Sequence, residues 1–363
     1  MGRWYNRGAV LAGCVGALLG LAAGPALGDA GAYLRKPDDW YRGEDALQIA
    51  AHVLSYQAPG GGWPKNVDTT AAPYTGDPAK LRPTFDNSAT TDELRFLARV
   101  HAATGTARFG QAVGKGLDYI LQAQYPTGGW PQSYPPGTGY PRHITFNDSA
   151  MVRLMQFLRE VAADERYEFV GAARRRAARV AFDRGIQCIL RCQIKVNGRL
   201  TAWCAQHDER DYRPRPARSY ELASLSGAES VGVVRLLMSL KDPSPEVVRA
   251  VDAAVTWFRE AALRGIKVVP KEDPEAPNGR DREVVEDPAA PLLWARFYEI
   301  ATNRPIFCDR DGVPKRRLAD IGYERRNGYA WLGTWPQTLL EKEYPRWRAR
   351  QAAPTAKPGR PAE

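Results

Sequence analysis

The sequence predicts an all-α fold: an α/α toroid of repeated helical hairpins, with long loops and a few short peripheral strands. Two observations predict it. Apolar residues recur at three-to-four spacing in seven segments broken by Gly, Pro or Asp clusters, while strand alternation is scarce. A unit of helix, glutamine, glycine-rich turn and tryptophan also repeats, as Gln57 to Trp63-Pro64, Gln124 to Trp130-Pro131 and, more loosely, Gln193 to Trp203. Its period is 67 residues and then 69. One hairpin cannot bury its apolar face alone, so successive units stack, and a curved stack closing on itself gathers their loops at one end.

In chain order the helical segments are 46–56, 92–103, 107–123, 149–163, 172–193, 227–240 and 245–264. The second helix of each unit opens on Thr84, on Thr145 and, in the weaker third copy, on the Arg218 to Ser224 segment. Residues 266–269 and 283–286 can pair as strands within a Pro- and Asp-rich stretch at the periphery. The repeated Gln and Trp read as structural: the amide satisfies open backbone groups at a helix end, and the indole fills the space against the next hairpin. Gln followed six residues later by Trp also resembles the repeat of triterpene cyclases, but the Asp-x-Asp-Asp acid those enzymes need for an apolar polyene is missing.

At the N-terminus Arg3 and Arg7 precede an apolar, small-residue run from Ala9 to about Ala23, then Pro25 and Ala26-Leu27-Gly28. This is the form of a cleaved secretory signal, residues 1–28. Leu11-Ala12-Gly13-Cys14 resembles a lipobox but stands ahead of most of the apolar run. Residues 29–347, with no second apolar span, are long enough for one large core or two ordinary ones. A tail, 348–363, with Pro354, Pro358 and Pro361 and few apolar residues, is expected to lack structure.

Loss of Arg3 and Arg7 takes the formal net charge from +10 to +8, a balance that suits an anionic partner. Export makes an acidic polysaccharide the fitting one, with neither nucleic acid nor membrane as partner after leader cleavage. The expected location is secreted or periplasmic, and the expected state a monomer. Cys188, Cys192, Cys204 and Cys308 remain in a compartment that permits disulfides, and the first three are close enough in sequence for one local bridge. Their spacing does not suit structural zinc.

Two strings carry the chemistry: Thr84-Phe85-Asp86-Asn87-Ser88-Ala89 and Thr145-Phe146-Asn147-Asp148-Ser149-Ala150. Asp, Asn, Ser and Thr ahead of an apolar helix are ordinary caps, and capping accounts for some of them. It does not account for a paired acid and amide in the same frame twice. Such oxygens suit a hard cation, calcium above all, with open positions for water and a substrate carboxylate. In the C-terminal third, arginines and aromatics interleave through Trp294-Ala295-Arg296-Phe297-Tyr298, Asp309-Arg310-Asp311-Gly312 and Arg325-Arg326-Asn327-Gly328-Tyr329. Guanidinium forks hold carboxylates and aromatic rings stack on sugars, which points to an acidic oligosaccharide groove.

Taken together, Gly-Gly-Trp-Pro-Lys65, the two strings above, Arg218-Ser-Tyr-Glu-Leu-Ala-Ser-Leu-Ser226, Leu293-Trp-Ala-Arg-Phe-Tyr-Glu299 and Asp309-Arg-Asp-Gly312 resemble the catalytic module of family 10 pectate lyases, from about Asp38 to Trp347. The resemblance implies an α/α toroid that cleaves polygalacturonate by calcium-assisted β-elimination. Carried over by position, it implies Asn87 and Asp148 as calcium ligands, with Asp86 beside them in the same cation and substrate site. It implies Arg310 as the base that removes the C5 proton, and Arg296 and Arg218 as holders of the uronate. Two alternatives stay open: a glycoside hydrolase using Asp86 and Asp148 as paired carboxylates, and a non-catalytic acidic-glycan-binding protein.

Overall fold

The computed structural model describes residues 30–352; the expected signal at 1–28 lies outside them. Seven helices dominate: α1 Glu44–Ser55, α2 Thr91–Thr104, α3 Ala107–Ala123, α4 Ala150–Ala163, α5 Ala172–Cys192, α6 Glu229–Met238 and α7 Pro245–Glu260. Their signals are local. α2 ends on Gly105 in the left-handed conformation, and α7 starts at Pro245 with the Ser244 hydroxyl accepting from Val247 N at 3.3 Å. In α3 the buried residues Phe109, Ala112, Val113, Leu117 and Ile120 fall on one face.

The helices form two rows. α1, α3, α5 and α7 touch in series, as do α2, α4 and α6. The tight hairpins are α2–α3, α4–α5 and α6–α7, joined by short connections. They are therefore one helix out of step with the pairing expected across the Gln-to-Trp loops. Those loops instead cross from one row to the other, and their length frees them to carry side chains of chemical use.

The repeated Gln and Trp lock the rows together. Gln57 Nε2 donates to Gly61 O (2.8 Å) and Ala112 O (2.9 Å), Gln124 Nε2 to Gly128 O (2.9 Å) and Ala181 O (2.8 Å), and Gln193 Nε2 to Thr201 O and Ala250 O (both 2.9 Å). Each amide thus ties its own turn to the next helix of the α1–α3–α5–α7 row. The indoles of Trp63, Trp130 and Trp203 are fully buried and donate to Val53 O, Ile120 O and Ile189 O at 2.7, 2.9 and 2.8 Å. A fourth lock, Trp294 Nε1 to Phe258 O at 2.7 Å, carries no preceding glutamine.

The third copy of the string is not where the sequence suggested. Thr84 N donates to Trp63 O and Thr145 N to Trp130 O, and the residue that makes this bond in the third unit is Ser226, to Trp203 O. Ser226-Gly227-Ala228-Glu229 leads into α6, whereas Arg218 to Ser224 is irregular loop. Cross-pairing pins the C-terminal segments to this unit: Leu225–Ser226 pairs with Phe297–Tyr298, and Trp294–Ala295 with Leu332–Gly333. Arg296 is thereby held between two strand pairs.

The one long strand pair among the described residues is peripheral, Ile266–Glu272 against Arg280–Glu286, with Ile266 opposite Glu286 and Val269 opposite Glu283. A short helix α8, Tyr323–Gly328, packs on its second strand. The chain then turns through 339–343 into α9, Tyr344–Ala352, with Trp347 fully buried and Arg348 Nη1 3.6 Å from Asp252. Residues 348–352 are thus helical rather than the start of an unstructured tail, because burial of Trp347 anchors the last turns; 353–363 lie outside the described residues. The four cysteines are all free and buried. The local bridge expected among the first three does not form: Cys188 and Cys192 sit one helical turn apart with sulfurs at 4.0 Å, about twice an S–S bond.

Candidate active site

The two strings fold into matching turns that pack against one another, Asp86–Ser88 and Asn147–Ser149. Asn87 (φ 52°, ψ 39°) and Asp148 (φ 48°, ψ 28°) both adopt the left-handed conformation, and so do Ser88 and Ser149 at φ 65° and 60°. Asn and Asp tolerate this region better than other non-glycine residues, which fits their choice here. In the matched turns Asp86 corresponds to Asn147 and Asn87 to Asp148.

None of these groups is spent on capping: the residues preceding α2 and α4 make no side-chain cap bond. Asp86, 4% exposed, receives the Lys65 ammonium and Gln132 Nε2 (2.7 Å) on Oδ2 and Asn87 N (3.1 Å) on Oδ1. Gln132 Oε1 is buried without a partner. Asn87 Nδ2 donates to Asn66 Oδ1 at 3.3 Å. Asp148, with 42% of its side chain exposed, accepts from Asn147 Nδ2 at 2.6 Å and from Arg296 Nη2 at 3.4 Å.

From Arg296 a ladder of alternating cations and rings leads outward. The Arg296 guanidinium, 13% exposed, pairs with Glu229 and lies 4.9 Å from the centre of the Tyr329 ring. Tyr329 donates to Glu221 Oε1 at 2.6 Å, and Arg218 grips the same carboxylate through Nε (2.8 Å) and Nη2 (2.5 Å). Arg218 is 5.7 Å from Tyr329 and 5.0 Å from Tyr220. Over Tyr220 lie also Arg310, at 5.8 Å, and Arg325, at 4.5 Å. Such contacts let guanidinium groups gather without meeting face to face.

Charge partners set the protonation of this ladder. Burial works against the Arg296 charge, but Glu229, Tyr329 and Asp148 outweigh it and hold the guanidinium more firmly protonated than free arginine. Burial would raise Glu221, and the Arg218 bond overrides it, leaving the carboxyl below its ordinary range. Bonds from Arg325 and then Arg310 pull Glu324 down to about 2. The Glu324 bond in turn raises Arg310 above its ordinary value.

The family profile of pectic acid lyases matches residues 57–340. The chain belongs to that family. An alanine variant of the family 10 polysaccharide lyase from Cellvibrio cellulosa, solved with trigalacturonic acid, superposes on this pectic acid lyase with a TM-score of 0.74 and 36% sequence identity, covering 87% of this chain and 96% of that one. The same Cellvibrio enzyme without the substitution gives the same identity and TM-score over 87% and 95%. No curated protein matches the sequence.

In this pectic acid lyase the six residues singled out from sequence divide into two groups that the structure joins. Asp86, Asn87 and Asp148 lie in the paired turns; Arg296, Arg218 and Arg310 lie along the ladder, and the Asp148–Arg296 contact links the two. Sequence reasoning assigned no role to Arg325, Tyr220, Tyr329 or Lys65, although all stand inside the quoted strings. Gln132, Glu221, Glu229 and Glu324 were missed as partners; Gln132 and Glu229 gain their meaning from long-range pairing, whereas Glu221 stands three residues from Arg218 and Glu324 next to Arg325, a local signal that went unused.

A second cluster, His143, Asp208 and Glu209, brings potential metal ligands within 4.8 Å of one another. Its oxygens are already used. Asp208 takes Arg210 N (2.9 Å), Asp211 N (3.3 Å) and Arg215 Nε and Nη2 (2.9 and 2.7 Å), and Glu209 takes Arg142 and His143. The lyase uses this cluster to brace the 206–217 loop beneath the second turn, whose Phe146 and Asn147 amides both donate to Ala205 O at 2.9 Å.

His207 in that loop is fully buried, accepting from Cys204 N at Nε2 (3.0 Å) and donating from Nδ1 to Tyr212 O (2.7 Å). Burial holds it down at about 4 against its ordinary 6.5. Between those values the unfolded chain binds a proton that the folded lyase does not. Stability from this group is therefore complete above pH 6.5 and falls by about 3 kcal/mol as pH drops to 4. Urea melts between pH 6.5 and 5 check this: wild type loses stability over that interval, and His207→Asn lacks most of the slope.

Proposed function

We propose that this pectic acid lyase cleaves α-1,4-linked polygalacturonate by calcium-assisted β-elimination, with Arg310 as the base, giving 4,5-unsaturated oligogalacturonides. The observation that carries the reading is the continuous path from the paired Asp/Asn turns through Asp148 and Arg296 to the arginines over Tyr220. The relative solved with trigalacturonic acid supports the substrate class.

The donor set fits calcium. Asn87 and the half-exposed Asp148 carboxylate offer hard oxygens, Gln132 Oε1, orphaned beside Asp86, is a further one, and Asp86, whose oxygens accept from Lys65, Gln132 and Asn87 N, would join them by giving up one of those bonds. These residues would hold the ion, which when bound supplies positive charge to the uronate carboxylate. The remaining work belongs to the chain's own side chains. Arg296, whose Nε is buried without a partner, and Arg218 grip the uronate carboxylate, toward which charge shifts as the C5–H bond weakens. Neutral Arg310 accepts the C5 proton. The C5–H electron pair becomes the C4–C5 double bond, the C4–O bond breaks, and the leaving oxygen takes up a proton from water. Burial of Arg296 excludes water from the carboxylate end, where its charge counts most.

Two rows of helices with the loops that bear the site gathered together support an α/α toroid. Among the described residues no helix is long and apolar enough to cross a membrane. The arginine-led leader belongs to a secreted or periplasmic reading, and the proposal includes a monomer with one catalytic domain. The test is near-ultraviolet absorbance on polygalacturonate at alkaline pH, with calcium and with chelator. Absorbance that rises with calcium and stops under chelation is expected. New reducing ends without a chromophore would mean hydrolysis, and no new ends at all would mean a binding protein.

A further inference from the structure

Each of the inner arginines of the ladder has a carboxylate partner of its own, Glu229 for Arg296 and Glu221 for Arg218. The outer two share one. Glu324, on α8, receives Arg310 through Nε–Oε2 (3.1 Å) and Nη2–Oε1 (2.9 Å), and the same two oxygens receive Arg325 through its Nε (2.6 Å) and its Nη2. No other side chain makes a hydrogen bond to the Arg310 guanidinium among the described residues. Around it stand Arg325 from α8, Tyr220 and Arg218 from the 218–224 loop, and Asp309 and Asp311 from its own loop. Asp309 is occupied with Arg310 N (3.1 Å) and Gly322 N (2.5 Å), which ties the Arg310 loop to the start of α8. Asp311 is turned to Val313 N and Lys315. The carboxylate that decides where the Arg310 guanidinium lies and how firmly it keeps its proton is therefore Glu324.

We propose that Glu324 is a positioning residue that holds Arg310 over Tyr220 and sets the pH at which the site becomes active. The inference rests on the reading of Arg310 as the base. A base must lose its proton before it can take one from C5, and the negative charge of Glu324 opposes that loss while Arg218 and Arg325 favour it. Glu324 is thus a restraint: it aims the guanidinium and moves its deprotonation toward higher pH. Both partners are exposed, Arg310 to 64% and Glu324 to 56%, so water screens the pair and the effect is moderate.

The test is the pH dependence of kcat/KM, read from the near-ultraviolet product, for wild type, E324Q, E324A, E324D and R310A. E324Q and E324A are expected to move the acid limb toward neutral by about half a pH unit, roughly a threefold gain at a fixed pH on that limb. E324D, which keeps the charge, is expected to keep the wild-type limb. Limbs of E324Q and E324A that superimpose on wild type, or a fall at every pH with no shift of the limb, would overturn the inference; E324D moving as far as E324Q would do the same. The R310A arm separates the two readings. An inactive R310A with an unshifted E324Q leaves the base in place and removes Glu324 from control, whereas an R310A that turns over like wild type removes the base itself.

Discussion

Arg310→Ala lowers kcat on polygalacturonate by about 10³-fold while KM changes little, because a base acts in the transition state and not in substrate binding. The side chain is mostly exposed and, among the described residues, its guanidinium hydrogen-bonds Glu324 alone, so folding is unaffected and thermal melts of the variant match wild type. The loss should grow as pH rises, because only the deprotonated guanidinium acts. A variant that keeps more than a tenth of wild-type kcat would assign the proton to another group. Arg218→Ala and Arg296→Ala act differently, since each is held by a buried glutamate and loses substrate affinity together with its neighbour's support.

Asp148→Ala raises the calcium concentration for half-maximal activity by about 10²-fold and lowers kcat at saturating calcium. Asp148 combines two duties: a hard oxygen in the second turn, and the contact that joins this turn to Arg296. Calorimetric titration of calcium in the presence of trigalacturonate checks the first duty independently of turnover. Unchanged calcium binding in the variant would separate Asp148 from the ion. Lys65 and Gln132 buttress Asp86 on the other turn, and by the same logic their loss is felt through calcium more than through stability.

The structural features legible in the sequence are those set by local periodicity. The 107–123 segment coincides with α3, and 266–269 pairs with 283–286 as expected, because three-to-four spacing and turn residues act within a few residues of themselves. The Asp/Asn strings were legible because the same frame occurs twice. What stayed hidden depends on contacts across the chain. Ser226 replaces Thr84 in the third unit with none of the Phe-Asp-Asn neighbours, and its bond to Trp203 O, with Ser230 Oγ on Trp203 N as Thr90 Oγ1 is on Trp63 N, reveals the equivalence. Trp294 repeats the indole lock without a glutamine, after a strand pair that interrupts the period. Glu229 and Glu324 look like ordinary surface acids in sequence, and become meaningful through the guanidiniums laid against them. Cysteine spacing suggested a bridge that helix geometry at i and i+4 does not make.

The site's design sets two demands against each other. On the proposed function arginines are gathered to neutralise a uronate, and gathered cations repel. Tyr220 and Tyr329 interleave with them, and the glutamates absorb the excess charge at the cost of holding the guanidiniums protonated. That balance makes an alkaline working range the natural consequence.

The measurement that bears most directly on this is the pH–rate profile of 4,5-unsaturated product formation from polygalacturonate at saturating calcium. The expected rate climbs through the alkaline range with loss of the Arg310 proton, and the climb vanishes in R310A. A profile that peaks below about pH 7 would contradict it.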